Sequence, residues 1–162
     1  MRGGQHTRPS WSERLRHFAF HKYFLMTRAM TMGVRALVLD AQGRVFLVRH
    51  TYVGGWHLPG GGVELGETLL QSLERELAEE ANIAMQAEPL LLGLYFNRHA
   101  SRRDHVAVYV VRQFQQSAPR LPDREIAEAG FFHVADLPAE TTHGTRQRIA
   151  EALDTAKISA DW

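Results

Sequence analysis

Apolar residues gather in five stretches whose composition predicts β-strands. All five are rich in aliphatic, β-branched or aromatic residues, and they cover residues 31–40, 44–50, 89–96, 106–114 and 131–134. Only Ala41, Gln42 and Gly43 separate the first two stretches, so we predict a β-hairpin there. The stretches at 89–96 and 106–114 predict two long strands joined by a polar loop.

The apolar spacing becomes that of a helix elsewhere in the chain. Leu70, Leu73 and Leu77 recur at intervals of three and four residues, which predicts a helix over residues 68–81. A second helix, predicted over residues 145–155, closes the chain. This order of strands and helices predicts an α/β fold, with a mixed sheet covered by helices on both faces.

We separate a basic extension, residues 1–30, from a domain over residues 31–158. Residues 11–26 predict an amphipathic helix that is too short, and too interrupted by charge, to span a membrane. We expect its apolar side to pack on the domain or on a second copy of the chain, which would form a homodimer. The alternative is that this side lies on an anionic membrane surface.

Composition limits the classes of function. The chain has 162 residues and no cysteine, which excludes disulfides and thiolate metal sites and fits a cytoplasmic protein. Its net charge of +1 predicts no bulk attraction to DNA. Charge is nevertheless unevenly spread, since residues 1–35 carry seven Arg or Lys against one Glu, while residues 64–80 carry six Glu against Arg75.

Three of these glutamates share one side of the predicted helix. Glu76, Glu79 and Glu80 recur at helical spacing, and each close pair of like charges costs a few tenths of a kcal/mol. A hard divalent cation such as Mg²⁺ or Mn²⁺ among the carboxylates would remove that repulsion. The alternative is an ordinary solvated helix face.

The stretch from Gly61 to Ile83 resembles the Nudix box. That pattern is Gly, five residues, Glu, seven residues, Arg-Glu, an aliphatic residue, any residue, Glu-Glu, any residue, Gly and an aliphatic residue. The matching positions are Gly61, Glu67, Arg75, Glu76, Leu77, Glu79, Glu80 and Ile83. Asn82 replaces the second glycine, and we expect it to end the helix in a left-handed conformation. The resemblance covers residues 31–155 and implies a Nudix α/β/α sandwich with a mixed central sheet.

The resemblance also implies an activity. Similar, MutT-like proteins hydrolyse the pyrophosphate bond of a nucleoside diphosphate linked to another group, as in ADP-ribose, a nucleotide sugar or a nucleoside triphosphate. The resemblance implies Mg²⁺ or Mn²⁺ held by four residues, Gly61, Glu76, Glu79 and Glu80. Two alternatives stay open, a nucleotide sensor without hydrolysis and a pyrophosphohydrolase of RNA 5′ ends.

Three residues are candidates for catalysis besides metal binding. Glu79 is the first choice among the box glutamates. Glu125, in the loop before the last predicted strand, resembles a general base, with a solvated surface glutamate as the alternative. Arg75 is expected to orient a carboxylate rather than touch substrate, and Glu67 is expected to orient the turn.

Candidate substrate-binding residues lie in two places. The loop at residues 97–105 contains Arg98, Arg102 and Arg103, whose guanidinium groups suit phosphate oxygens, although a solvated hairpin tip is as good an interpretation. His57 and Trp56 precede the glycine run. His57 is expected to face the substrate, and Trp56 either stacks on a base or belongs to the core.

Overall fold

The computed structural model describes residues 27–162 and, before them, Trp11, Phe18, Phe20 and residues 22–24. The chain divides into two compact units, residues 1–30 and 31–162. In the first unit the described residues between Trp11 and Arg28 are helical, and the remainder of the predicted helix over 11–26 lies outside the described residues.

None of the helices that are described is long and apolar enough to cross a membrane. The homodimer stays a prediction.

The second unit contains seven strands and two α-helices. In chain order they are β1 (Thr31–Val38), β2 (Arg44–His50), α1 (Leu69–Ala81), β3 (Ile83–Met85), β4 (Leu90–Phe96), β5 (Asp104–Val111), β6 (Phe114–Gln116), β7 (Ile126–His133) and α2 (His143–Ala152). A short 3-10 helix, Val134–Asp136, precedes α2. All five predicted strands are present, and β7 begins earlier than predicted.

The main sheet mixes parallel and antiparallel pairs, as predicted. Its strand order is β1-β5-β4, where β1 runs parallel to β5 and β4 runs antiparallel to it. Two smaller antiparallel pairs, β2 with β7 and β3 with β6, complete the strands.

The predicted hairpin between β1 and β2 is wrong. The chain does reverse there, since the Gly43 N–H donates to the Asp40 carbonyl (3.0 Å) and the Asp40 carboxylate pairs with Arg44 (2.7 Å). Beyond the single bridge between Leu39 and Val45, however, each strand pairs with a distant partner. Four of the eight residues of β1 and five of the seven residues of β2 are buried, and long partners from elsewhere in the chain satisfy more backbone groups than the short hairpin would.

The core lies on both faces of the sheet. Alternate residues of β1, such as Val34 and Leu37, belong to two different buried clusters. Leu73 and Leu77 of α1 close the first cluster, and Ile149 of α2 belongs to the second. One helix on each face gives the α/β/α sandwich that was predicted.

Both ends of α1 are specified by single residues. Thr68 caps the start, because its hydroxyl accepts from the Gln71 N–H (3.2 Å) while the Gln71 side chain accepts from the Thr68 N–H (2.9 Å). Asn82 ends the helix with φ 54° and ψ 34°, which confirms the predicted left-handed conformation. The box glutamates are therefore carried on a helix of defined length and rotation.

Candidate active site

The glycine segment before α1 runs along β1. Backbone N–H groups of Val34 and Ala36 donate to the carbonyls of Gly61 (2.9 Å) and Pro59 (2.8 Å). This pairing carries Gly60 and Gly61 between the strand and α1. Gly60 has φ 138° and a Cβ there would overlap the Val34 carbonyl, so only glycine fits.

Glu80 forms a direct hydrogen bond to this segment. Its carboxylate accepts from the Gly60 N–H (2.8 Å) and lies 3.5 Å from Nε2 of His50. Burial raises the pKa of Glu80 to about 7, and the nearby charges of Glu76 and Glu125 add to the rise, while Gly60 and Arg35 oppose it. A carboxyl group whose pKa is raised by burial and by nearby like charges is typical of functional sites.

Glu76 and Glu79 differ in exposure. Glu76 is buried and lies so close to Gly61 that a Cβ on that glycine would overlap the carboxylate. The Glu79 side chain is 62% exposed, and its carboxylate is 3.6 Å from Arg75. The helix thus presents one buried and one solvent-facing carboxylate beside Glu80.

Arg75 joins the box turn to the helix. Its guanidinium donates to both carboxylate oxygens of Glu67 (2.9 and 3.0 Å), to Glu76 (2.7 Å) and to the Gly62 carbonyl (3.1 Å). Donation from Arg75, followed by the Glu64 backbone N–H, lowers the pKa of Glu67 to about 2. Arg75 and Glu67 are thus placed where orienting residues are expected, although those roles stay predictions.

Arg35 is a site residue that the sequence reasoning did not select. Its guanidinium donates to the carbonyls of Gly60 and Leu58. Burial lowers its pKa, and attraction to Glu80 and then Glu76 opposes that change. A lone arginine within the apolar strand TMGVRALV was the available signal, because a charge in a buried strand needs a partner.

Glu125 lies on the loop beside the end of β2. The Thr51 N–H donates to the Glu125 carbonyl (2.9 Å), and Asp123 accepts from the Glu125 N–H (2.8 Å). Its charge contributes to the raised pKa of Glu80, which places the candidate base near the box carboxylates. Its role as general base stays a prediction.

The other predicted substrate residues are divided between the site and elsewhere. His57 lies near the site, where its Nε2 is 2.9 Å from the Gly54 carbonyl and its ring is 6.0 Å from that of His50. Trp56 is a core residue, 7% exposed and packed edge-to-face on Phe132 (4.8 Å). This burial supports the core interpretation of Trp56 over the base-stacking one.

The predicted arginines lie on the turn between β4 and β5. Arg98 pairs with Asp161 near the carboxyl end of the chain (2.6 Å), while Arg102 and Arg103 are exposed. Asp104, at the end of this turn, pairs with Thr31, which is four residues before Arg35 along β1. Among the described residues, no ion pair joins the three arginines to the box carboxylates, so their contact with substrate stays a prediction.

The residues present fit a hard divalent cation in type. Three carboxylates, Glu76, Glu79 and Glu80, project from one stretch of helix, and the absent Cβ of Gly61 makes room for one of them. Within the described part of the chain, no three acidic or histidine side chains are already gathered into a metal cluster. The protein's own donors, Arg75 and the Gly60 N–H, hold two of the carboxylates in this arrangement.

Comparisons with known proteins agree with this fold and box. A model of the NUDIX domain matches residues 30–153. The putative mutator protein MutT4 of Mycobacterium tuberculosis is 33% identical over 125 residues, which are 75% of this chain and 47% of that protein. An ADP-ribose pyrophosphatase of Methanocaldococcus jannaschii is 28% identical over 62% of this chain and 61% of its own. The chain thus spans less than two thirds of the length of either relative.

Solved structures give the same result for the fold. The crystal structure of a MutT NUDIX hydrolase from Burkholderia pseudomallei has a TM-score of 0.65 and 28% identity, and the match covers 75% of this chain and 96% of that one. The NUDIX domain of Shewanella oneidensis NrtR, complexed with ADP ribose, has a TM-score of 0.64 at 21% identity over 90% of this chain and 98% of its own. The second likeness concerns the fold alone.

Proposed function

The chain belongs to the NUDIX domain family, and from that premise we propose that it is a metal-dependent hydrolase of pyrophosphate bonds in small nucleotides. The substrate class is a nucleoside diphosphate linked to another group, such as ADP-ribose, a nucleotide sugar or a nucleoside triphosphate. Two relatives are named a mutator protein and an ADP-ribose pyrophosphatase, which supports this class without selecting one member.

One observation carries the proposal. Glu76 and Glu80 are largely buried against Gly60 and Gly61, and the pKa of Glu80 is raised to about 7 by burial and by like charges. Such an arrangement opposes stability in the free protein, because two carboxylates lose solvent beside one another. A cation and a polyphosphate bound among the carboxylates would offset this cost.

A divalent cation is the partner that these residues suit. NUDIX hydrolases generally use divalent metal ions. Here Glu76, Glu79, Glu80 and the backbone carbonyl of Gly61 would hold Mg²⁺ or Mn²⁺. When bound, such an ion neutralises charge on phosphoryl oxygens and lowers the pKa of a bound water.

The chain's own residues supply orientation and proton transfer in this proposal. Arg75 keeps Glu76 in place through its 2.7 Å hydrogen bond, and Arg35 holds the Gly60 carbonyl. Glu125 is the candidate to accept the proton of the attacking water, because its loop lies beside Glu80 and its side chain is exposed. His57 would face the substrate from the amino-terminal end of the glycine segment.

The test is product release from a panel of nucleotides with Mg²⁺ or Mn²⁺. The panel contains ADP-ribose, nucleotide sugars and nucleoside triphosphates, and it compares the wild type with Glu79→Gln. Glu74→Gln is a matched control, because Glu74 is an exposed glutamate of the same helix outside the box pattern. We expect metal-dependent cleavage of at least one nucleotide, lost in Glu79→Gln and kept in Glu74→Gln.

Other outcomes would change the proposal. Tight binding of a nucleotide without cleavage would support the sensor alternative. Equal activity in the wild type and Glu79→Gln would remove Glu79 from the mechanism. Cleavage confined to triphosphorylated RNA 5′ ends, with binding that weakens steeply as salt is added, would favour the RNA alternative.

A further inference from the structure

We propose that Tyr52 is the platform on which the aromatic base of the nucleotide stacks. This inference rests on the proposed function, since it concerns the same site. Tyr52 lies in the loop that follows β2, between His50 and the glycines Gly54 and Gly55. It is 74% exposed, so its ring is open to a ligand in a way that the buried Trp56 is not.

The loop that carries Tyr52 is anchored to the loop of the candidate base. The backbone N–H of Thr51 donates to the Glu125 carbonyl (2.9 Å), and the Thr51 hydroxyl donates to the Arg124 carbonyl (2.7 Å). Two hydrogen bonds from the residue immediately before Tyr52 therefore tie its backbone to the Glu125 loop. An exposed ring on an anchored loop loses less conformational freedom on binding than one on an unattached loop.

His50 connects the ring to the carboxylates. The ring centroids of Tyr52 and His50 are 5.1 Å apart, and Nε2 of His50 is 3.5 Å from the Glu80 carboxylate. His50 is itself buried, and within the described residues its Nδ1 has no hydrogen-bond partner. The exposed ring of Tyr52 is thus separated from the proposed phosphate site by the width of one side chain, which suits a base joined to its phosphates through a ribose.

The charges around Tyr52 agree with this placement. Partial desolvation raises the pKa of its phenol even though most of the residue is exposed, and Glu80 and Glu125 add to the rise, while Arg35 opposes it. The phenol is therefore neutral at physiological pH and offers an uncharged ring to a base. His57 also lies near His50, since their ring centroids are 6.0 Å apart and Nε2 of His57 is 2.9 Å from the Gly54 carbonyl.

A surface tyrosine with no binding role is the competing explanation, because single exposed aromatic residues are common. The two differ in one measurable respect. Stacking on an aromatic side chain favours a ligand that carries a base and does nothing for the same ligand without it. AMP and ribose 5-phosphate differ in this way, since they share the ribose and the phosphate and only AMP carries the base.

The experiment measures binding of AMP and of ribose 5-phosphate by calorimetry, with Mg²⁺ present. The proteins compared are the wild type, Tyr52→Leu, Tyr52→Phe and the control Val53→Ala, whose residue is 43% exposed on the same loop. We expect the wild type to prefer AMP, Tyr52→Leu to bind AMP about 5- to 150-fold more weakly, and ribose 5-phosphate to be unaffected. Tyr52→Phe should keep the preference, because it keeps the ring.

Three results would overturn the platform. They are equal wild-type binding of the two ligands, an undiminished AMP preference in Tyr52→Leu, and an equal loss for both ligands. Thermal unfolding of each variant checks that the fold is intact. Because the readout is binding, it is separate from the hydrolase proposal. AMP preference without cleavage of any nucleotide would retain the platform and reject the hydrolase. Nucleotide cleavage without AMP preference would retain the hydrolase and reject the platform.

Discussion

At the scale of single residues, the site depends on two glycines for different reasons. Gly60 adopts a conformation closed to other residues, and a side chain there would meet the backbone of β1. Gly61 has no such conformational demand, but its missing Cβ leaves the space that the Glu76 carboxylate fills. Gly60 is thus required by the path of the backbone, and Gly61 by the position of the Glu76 carboxylate.

Gly61→Ala should therefore fold and yet lose activity. The new methyl group displaces the flexible end of Glu76, which costs little stability, but a displacement of about 1 Å at a reacting centre lowers turnover on the order of 100-fold. Turnover and the melting temperature are measured together. Gly62→Ala is the control, because a Cβ at that position meets no atom within 4 Å. Equal activity in the two variants would contradict this reading of Gly61.

Glu125 provides a second prediction at this scale. If it accepts the proton of the attacking water, Glu125→Gln should lower turnover by about 10²- to 10⁴-fold while Mg²⁺ affinity changes little. Glu128→Gln is the comparison, because Glu128 pairs with Arg49 (2.6 Å) rather than facing Glu80. Near-normal turnover in Glu125→Gln would remove the residue from the mechanism.

At the scale of elements, hydrogen bonds within the box connect the glycine segment and its turn to α1. Arg75, on the helix, binds both oxygens of Glu67 on the turn and the carbonyl of Gly62. Thr68 and Asn82 define the two ends of the helix. The rotation of α1, and hence the direction of its carboxylates, follows from contacts made by residues that need not touch a substrate.

The interaction between the Glu67 carboxylate and Arg75 should weaken in acid. The pKa of Glu67 is about 2, below its ordinary value of 4.5, so the unfolded chain takes up the proton first. The stability that Glu67 contributes is present above about pH 4.5 and is lost as the pH falls towards about 2. Urea midpoints near about pH 5 and about pH 3 should therefore differ less in Glu67→Gln than in the wild type. In the exposed neighbour variant Glu64→Gln the difference should match the wild type, and the same change in both variants would contradict the assignment.

At the scale of the whole molecule, the carboxyl-terminal segment is locked to the domain by a buried ion pair. Arg148 and Glu151 of α2 are almost fully buried and 2.8 Å apart. Glu151 also accepts from the Tyr95 hydroxyl (2.8 Å), and the Arg148 guanidinium lies over the rings of Tyr95 and Trp162, 4.0 and 5.5 Å from their centroids. This network joins α2, β4 and the last residues of the chain.

Removing one partner should destabilise the domain severely. Glu151→Ala leaves the Arg148 charge buried without its carboxylate, which costs about 3–5 kcal/mol of unfolding free energy. Urea unfolding of the wild type and of Glu151→Ala measures the difference. Glu88→Ala removes an exposed glutamate and should change stability by less than about 0.5 kcal/mol. A small loss in Glu151→Ala would mean that the pair contributes little beyond its packing.

Much of this protein is determined by local sequence. Apolar composition located the five predicted strands, and apolar periodicity located both helices, since burial of one helix face imposes a period on the chain. The box was identified by its resemblance to the Nudix pattern, while helical spacing placed Glu76, Glu79 and Glu80 on one face. Both inferences, and the helix end at Asn82, needed only residues 61–83.

Contacts between distant segments were decided only by the tertiary structure. The pairing partners of β1 and β2 could not be predicted from the sequence, because the alternation of residues in a strand indicates which face is buried but not which strand lies beside it. For the same reason the sequence did not show that Arg35, His50 and Tyr52 lie near Glu80, which requires β1, β2 and the Glu125 loop to pack together, or that Trp56 is buried beside Phe132. Side chains separated along the chain acquire a shared chemistry only through packing, and packing depends on every segment at once.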